Sequence, residues 1–315
     1  MGTILYFNEE LHKYTNQDGL VYTSMTTVIG KYEDKFDTDK MAKQCHQRYF
    51  RKKGHRYHGM SVKQIKASWT KLNNDACERG NERHNYLEDI VKTSSGYRKN
   101  SSKFINDRIY TIDDILANHD YGSVDLSYFE NIGLKERYPS IYEVIENLVK
   151  DGWRIYSEIG VFYNPLMVSG LVDILLVKDN YFRILDWKTN KAKLEFESGY
   201  YKRDELGVNT DHWVSKDDRF KAPLAHIQES HGNTYTLQLS GYAWLIEQFG
   251  LECKGLLLCH IRPKHLDKYG NIPYNNNEKD DIVDFVHIKY LKDDVEMMFK
   301  HHWRVYSNKQ TNLFN

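Results

Sequence analysis

The pattern of apolar and polar positions separates a helix-rich first half from a strand-rich centre. Val172, Ile174, Leu175, Leu176 and Val177 form an apolar run of strand length, Lys178-Asp179-Asn180 has turn composition, and Tyr181 to Trp187 is the returning strand of a hairpin. Strands are also expected over Arg154 to Tyr163, Leu171 to Val177 and Gly255 to Ile261, with a further one over Ile282 to Tyr290. A polar stretch from Asn190 to Gly232 and a helix from Thr234 to Phe249 separate the hairpin from the strand at Gly255, and an amphipathic helix is expected over Asp293 to Tyr306.

Near the N-terminus, Lys13-Tyr-Thr and Leu20-Val-Tyr-Thr flank the turn residues Asn16 to Gly19, and Ser24 or Thr26 is placed to cap a helix beginning before Val28. Two more helices are expected before Thr93. The second covers Asn74 to Lys92, where Cys77, His84, Leu87 and Val91 recur at helical spacing. Residues Ser94 to Asp125 have the composition of a variable insertion, and Ser140 to Val149 is a helix with Ser140 as its cap and Glu143 at the capping-box position. Strand, helix, strand order predicts a mixed sheet with helices on its faces. With no internal repeat and no Pro- or Gly-rich linker, one elaborated domain over 1–315 is expected, with a mostly helical part (1–150), a sheet core (151–262) and a C-terminal strand and helix (263–315).

No apolar run approaches the ~18 residues of a membrane span, and the N-terminus lacks signal-peptide character. The four cysteines contain no Cys-x-x-Cys pair, which argues against a zinc ribbon and fits reduced thiols in an intracellular, cytoplasmic setting. Formal net charge is zero, but its distribution is uneven. From Lys43 to Lys71 there is no Asp or Glu, while basic residues, Lys52, Lys53 and Arg56 among them, alternate with Tyr49, Phe50, Tyr57 and Trp69. Such a segment suits phosphates and unpaired bases; a solvated helix face with ordinary core aromatics has the same composition.

Candidate chemistry lies on the central hairpin. Asp186 and Lys188, two apart, share one strand face while Trp187 points to the other, and Asp173 lies across the hairpin from Asp186 if the turn is centred near Asn180. Burying these charges is costly unless they pair or bind a metal. An exposed, salt-bridged hairpin end is the alternative. His84 and Glu88 share a helical face, as do Gln238 and Tyr242, and Gly241 permits close approach to that helix.

Taken in order, Gly80-x-x-x-His84, Glu158 on a strand, Gly170-x-x-Asp173, Asp186-x-Lys188-Thr189 and Gln238-x-x-x-Tyr242 resemble the PD-(D/E)XK nuclease superfamily, in particular its RecB-like exonuclease branch. Lys221 to His226 is also similar to bacteriophage members of that branch and to mitochondrial genome maintenance exonucleases. The resemblance implies an α/β fold with a restriction-endonuclease-like core, a mixed central sheet flanked by helices, and a helical N-terminal elaboration. It implies Asp173 and Asp186 as metal ligands, joined by His84 and the backbone carbonyl of Trp187. Lys188 would position or activate water, and Glu158 would be an auxiliary acid. Gln238 and Tyr242 would hold the DNA backbone or brace the site; Thr189, Lys52, Lys53 and Arg56 are further candidates for DNA contact. Val172 stands where the superfamily's name has Pro, and the cysteine set of cluster-bearing relatives is missing, so no iron-sulfur cluster is expected.

The implied cofactor is Mg²⁺ or Mn²⁺, an imidazole ligand being better matched to manganese. The implied activity is a metal-dependent DNA exonuclease acting on single-stranded or duplex ends in recombination, replication or repair, with a recombination or replication protein as a further partner and, if phage-encoded, a host-cytoplasmic location. A structure- or sequence-specific endonuclease on the same core, or a catalytically silent DNA-binding subunit, are the alternatives. The basic segment, joined to the His84 helix, is the candidate for an arch over the site.

Overall fold

The computed structural model describes residues 3–8, 11, 13–95, 107–117, 122–267, 272 and 278–306. Strands β1 (Leu5–Asn8), β2 (Lys13–Asn16) and β3 (Val21–Ser24) lead into helices α1 (Met25–Ile29), α2 (Thr38–Tyr49) and α3 (Val62–Ser94). Then come β4 (Asp107–Ile109), α4 (Ile112–Ala117), α5 (Leu126–Asn131), α6 (Leu134–Arg137) and α7 (Pro139–Lys150). The centre holds β5 (Arg154–Tyr163), β6 (Val168–Lys178), β7 (Tyr181–Lys188), β8 (Gly199–Arg203) and β9 (Asn209–Ser215). Helix α8 (His231–Glu247), β10 (Glu252–Arg262), β11 (Ile282–Ile288) and α9 (Lys292–Tyr306) complete the order.

The main sheet is large and mixed. Its path runs β11-β10-β7-β6-β3-β2-β1-β4, with β5 on the other edge of β6. Strand β5 pairs antiparallel along nearly all of β6, from Arg154↔Val177 to Tyr163↔Val168. The opposite edge of β6 is shared: β7 takes Ile174 to Lys178, and β3 takes only Val168 and Ser169. Residues 170–173 therefore lie between two partners, at a split in the sheet.

Helices cover both faces. Leu237, Leu245 and Ile246 of α8 and Phe299 of α9 pack with Leu175, Ile184 and Phe182, while Leu87, Ile90 and Val91 of α3 and Ile141 and Ile145 of α7 pack with Ile174, Leu176, Leu185 and Trp187. Face-to-face burial of this kind is the main favourable term in forming the sheet. Gly241 makes the α8 contact possible: a Cβ there would lie 2.4 Å from Met25 Sδ of α1.

Several boundaries differ from those the sequence predicts. Helix α3 begins at Val62, well before Asn74, because Ser61 and Gln64 form a reciprocal capping box and Ile65 is buried against Ala42 and Tyr57. Ser140 is not a cap; Tyr138 holds that position, Pro139 occupies the first turn, and no side chain caps α7. The described part of Ser94 to Asp125 is not a detached insertion, since β4 pairs with β1 and Ile112 and Ile115 join the larger core. The polar stretch Asn190 to Gly232 contains a separate two-stranded sheet, β8-β9. The N-terminal hairpin and the Ser24 cap are as expected, with Tyr14 paired to Tyr22 and Ser24 Oγ accepting from Thr27 N–H. Among the described residues, no helix is long and apolar enough to cross a membrane.

Candidate active site

The β6-β7 hairpin closes with a two-residue turn, Lys178 pairing with Tyr181 and Asp179 adopting φ 55°. This register carries Asp173 to the level of Asp186, one step beyond the last pair, Ile174↔Leu185. There the strands part, and the Trp187 N–H donates to Asp173 Oδ2 at 2.9 Å. Trp187 itself is buried with Leu87 and Ile90 of α3, so its side chain leaves Asp186 and Lys188 on the other face.

The pleat slips at the same level. Tyr156 and Ile159, three apart, both pack in the larger core, as do Val172 and Leu175, although a regular strand would put such residues on opposite faces. Both slips fall where Glu158 lies opposite Asp173, between the pairs Ser157↔Ile174 and Ile159↔Val172. Glu158 has φ 58°, a left-handed conformation that a glutamate rarely adopts. Strain of this kind persists where its surroundings over-determine it, often at functional sites.

Helix α3 supplies the third side. Gly80 lets it approach the end of β7, since a Cβ there would already be 3.0 Å from Thr189 Oγ1. One turn later His84 Nε2 lies 3.0 Å from Asp173 Oδ2, and its Nδ1 lies 3.7 Å from Glu88 Oε2. Glu88 is also ion-paired with Lys92. Ligand atoms of His84, Glu88 and Glu158 all lie within 4.8 Å of one another, a grouping able to hold a metal ion. Sequence reasoning placed His84 with Asp173 and Asp186; the structure sets Asp173 against His84 and adds Glu88, whose signal was its place four residues after His84 on the same face.

Asp186 is 1% exposed and ion-paired with Lys188. The Lys188 ammonium also lies 4.3 Å from the centre of the Tyr235 ring, whose hydroxyl bonds Asn190 Oδ1 at 3.1 Å. Gln238 Nε2 donates to the Tyr242 hydroxyl at 3.0 Å, and the Tyr242 ring is buried against Gly170, where a Cβ would fall 2.2 Å from Cε1. The Gly-x-x-Asp spacing thus brings α8 directly onto β6 beside Asp173.

Charge crowding perturbs every group. For His84, burial favours the neutral ring, but hydrogen bonds to Asp173 and Glu88 outweigh it and push the pKa up to about 11. Burial, then Glu88 and Asp173, pushes the Glu158 carboxyl up to about 8. Burial and then Asp173 raise Asp186 to about 6, with Lys188 pulling the other way. Asp173 is held below the usual carboxylate range; burial opposes this, and His84, Lys188 and the Trp187 N–H prevail. Burial alone would lower Lys188, yet Asp186 and Asp173 leave it raised.

The site opens into a cleft of about 1250 Å³ between the segment 54–60, α3 and residues 187–194. Arg56, Lys71, Arg79, Lys188, Lys191 and Lys193 line it, against the single carboxylate Asp75 among the described lining residues. Burial, followed by crowding from Arg56 and Arg79, lowers the Lys191 pKa, as expected where cations converge. Both readings of the basic segment apply in part. Tyr57 and Trp69 are core-type aromatics, joined by a Trp69 Nε1 to Tyr57 Oη bond of 2.7 Å, whereas Arg56 faces the cleft and Lys52 and Lys53 lie exposed beside it. Thr189 lines the cleft floor.

No protein-family model matches the sequence, and no curated protein matches it at a significant level.

Proposed function

We propose that the chain is a metal-dependent nuclease that hydrolyses DNA phosphodiester bonds, built on a restriction-endonuclease-like core. The observation that carries this reading is the convergence of His84, Glu88 and Glu158, with Asp173 in contact with His84, beside an Asp186–Lys188 ion pair on the wall of a cationic cleft.

The donor set fits a hard or borderline divalent cation, with carboxylate oxygens and one imidazole and no thiolate. Charge is also accounted for. Hydrogen bonds to Asp173 and Glu88 favour the protonated His84, and burial with Glu88 and Asp173 favours the protonated Glu158; a cation at this point would take over that neutralising role. His84, Asp173, Glu88 and Glu158 would hold it, with Asp186 and the Trp187 carbonyl as the ligands the resemblance adds. When bound, Mg²⁺ or Mn²⁺ supplies charge compensation at the phosphate and acidifies water.

The chain's own groups do the rest. Cleft cations hold the phosphodiester backbone, a sequence-independent attraction. Lys188, restrained by Asp186 and Tyr235, is set to orient the attacking water, and Tyr242 with Gln238 braces β6 from behind. Incubating end-labelled DNA with Mn²⁺ tests the reading: hydrolysis by the wild type and its loss in Asp173→Asn are expected. A wild type that binds DNA but never cuts it would instead be the silent binding subunit.

A further inference from the structure

The residues that follow β7 are held by three neighbouring elements. Strand β7 ends at Lys188, and the chain continues as an irregular segment, 189–194, that lines the cleft. With no ladder of its own, such a segment takes its fixed points from what surrounds it. Helix α3 abuts Thr189 at Gly80. Helix α8 reaches Asn190 through the Tyr235 hydroxyl, which donates to Oδ1 at 3.1 Å. Strand β10 reaches the same residue through His260, whose Nε2 donates to the Asn190 carbonyl oxygen at 2.8 Å.

Sheet register accounts for the last contact. Strand β10 runs parallel to β7 with His260 level with Lys188, two residues before Asn190. The His260 ring is buried, and a polar group so deep needs a protein partner. Asn190 is therefore fixed by its side chain and by its backbone, and what it fixes in turn is Tyr235. The Lys188 ammonium lies over that ring, 4.3 Å from its centre. Its other partner is Asp186. Asp186 cannot serve alone: the nuclease reading also gives it to the cation, and a carboxylate drawn to a divalent ion holds an ammonium less firmly. A lysine so released regains the rotamer freedom of its four-carbon stem. A ring face does not compete for the metal, so Tyr235 can hold the ammonium whether or not Asp186 is engaged.

We infer that Tyr235, Asn190 and His260 are positioning residues for Lys188: Tyr235 holds the ammonium, Asn190 holds Tyr235, and His260 holds Asn190. This rests on the nuclease reading and deepens it, because it identifies what keeps the water-orienting amine in place once Asp186 is shared. Small displacements of a positioned group are costly in rate, so the chain of contacts acts on turnover. His260 is not among the described residues that line the cleft. Its influence on the reaction passes through Asn190 and Tyr235, and leaves the hold of the cleft on DNA unchanged.

A spectroscopic signature tests the chain of contacts without hydrolysis. In protein carrying ¹³C-labelled lysine and saturated with Mg²⁺, the ε-methylene resonance of Lys188, assigned by its loss in Lys188→Arg, should be displaced upfield by the Tyr235 ring. Tyr235→Leu should return it to the ordinary lysine position and so set the scale. Asn190→Ala should move it toward that position, and Asn190→Asp, which keeps the Oδ1 acceptor, should restore it. An ordinary shift in the wild type, or a wild-type shift in Asn190→Ala, overturns the inference. His260→Leu should behave as Asn190→Ala does; if it fails to fold, the Asn190 pair still decides. Cleavage of DNA with Mn²⁺ is read in parallel. Asn190→Ala should lower kcat by about 3–10-fold, the worth of one hydrogen bond, at unchanged KM, with rescue in Asn190→Asp. A raised KM at unchanged kcat would make Asn190 a DNA contact and overturn its positioning role. A wild type with the displaced resonance and no cleavage rejects the nuclease reading alone, and cleavage with an undisplaced resonance rejects the positioning chain alone.

Discussion

His84 Nε2 of α3 lies 3.0 Å from Asp173 Oδ2 of β6, so at the split in the sheet a base on the helix meets an acid on the strand. The contact favours a protonated imidazole, with His84 pushed up to about 11 and Glu158 beside it to about 8. Binding of a divalent ion must displace protons, so Mn²⁺ affinity should rise as pH increases through about 8, with proton release in calorimetry performed in buffers of different ionisation enthalpy. An affinity independent of pH would remove these two residues from the metal shell.

Stability of the metal-free protein should run the opposite way. Glu158 and Asp186 have folded pKa values raised to about 8 and about 6, so each binds its proton more tightly when folded. Their contribution is complete below the ordinary carboxylate range and is lost as pH climbs to those values; His84, also raised, loses its share between its ordinary 6.5 and about 11. Urea unfolding in EDTA should show stability declining from mildly acidic to alkaline pH, with a shallower decline in Glu158→Gln.

Lys188→Ala should retain Mn²⁺ and DNA binding while cleavage falls by about 10²–10⁴-fold, the usual range for a positioned proton-handling group. Tyr235→Leu, which frees the ammonium from its ring, should lower kcat with little change in KM. Single-turnover cleavage separates the two effects, and wild-type turnover in Lys188→Ala would exclude this lysine from the reaction.

Gly170→Ala should destabilise the fold by about 1–3 kcal/mol through overpacking, because the new methyl would meet the Tyr242 ring. Gly170→Ala combined with Tyr242→Leu should recover part of the loss. Denaturant midpoints at constant m-value report both.

Arg83 Nη2 and Asp281 Oδ2 form an ion pair at 2.5 Å, 5% and 0% exposed, which ties α3 next to His84 to the chain entering β11. Arg83→Met should cost about 3–5 kcal/mol by leaving a buried carboxylate. Thermal unfolding of Arg83→Met against the double variant Arg83→Met/Asp281→Leu would show whether the stranded charge causes the loss.

What could be read locally was largely legible. The β6-β7 hairpin follows from an apolar run, a two-residue turn and strand alternation, and those features alone set Asp186 with Lys188 and carry Asp173 to their level. The start of α3 was misplaced at Asn74 although its signals are local: Val62, Ile65, Trp69 and Leu72 recur at helical spacing among the cations, and Ser61 with Gln64 has capping-box spacing. Glu88 gave only a helical spacing to His84; Glu158 was singled out by the resemblance alone, and its left-handed backbone gave no signal, since it accompanies two strands slipping phase together.

The sequence by itself therefore determined the elements, the turn and which residues share a strand face, because these depend on neighbours along the chain and on fixed periods. Only the tertiary structure decided that Glu88 and Glu158 join His84 beside Asp173, that Tyr242 lies behind Gly170, and that His260 reaches Asn190. Those outcomes depend on packing and on charges from distant segments meeting at short range, and no local pattern encodes them.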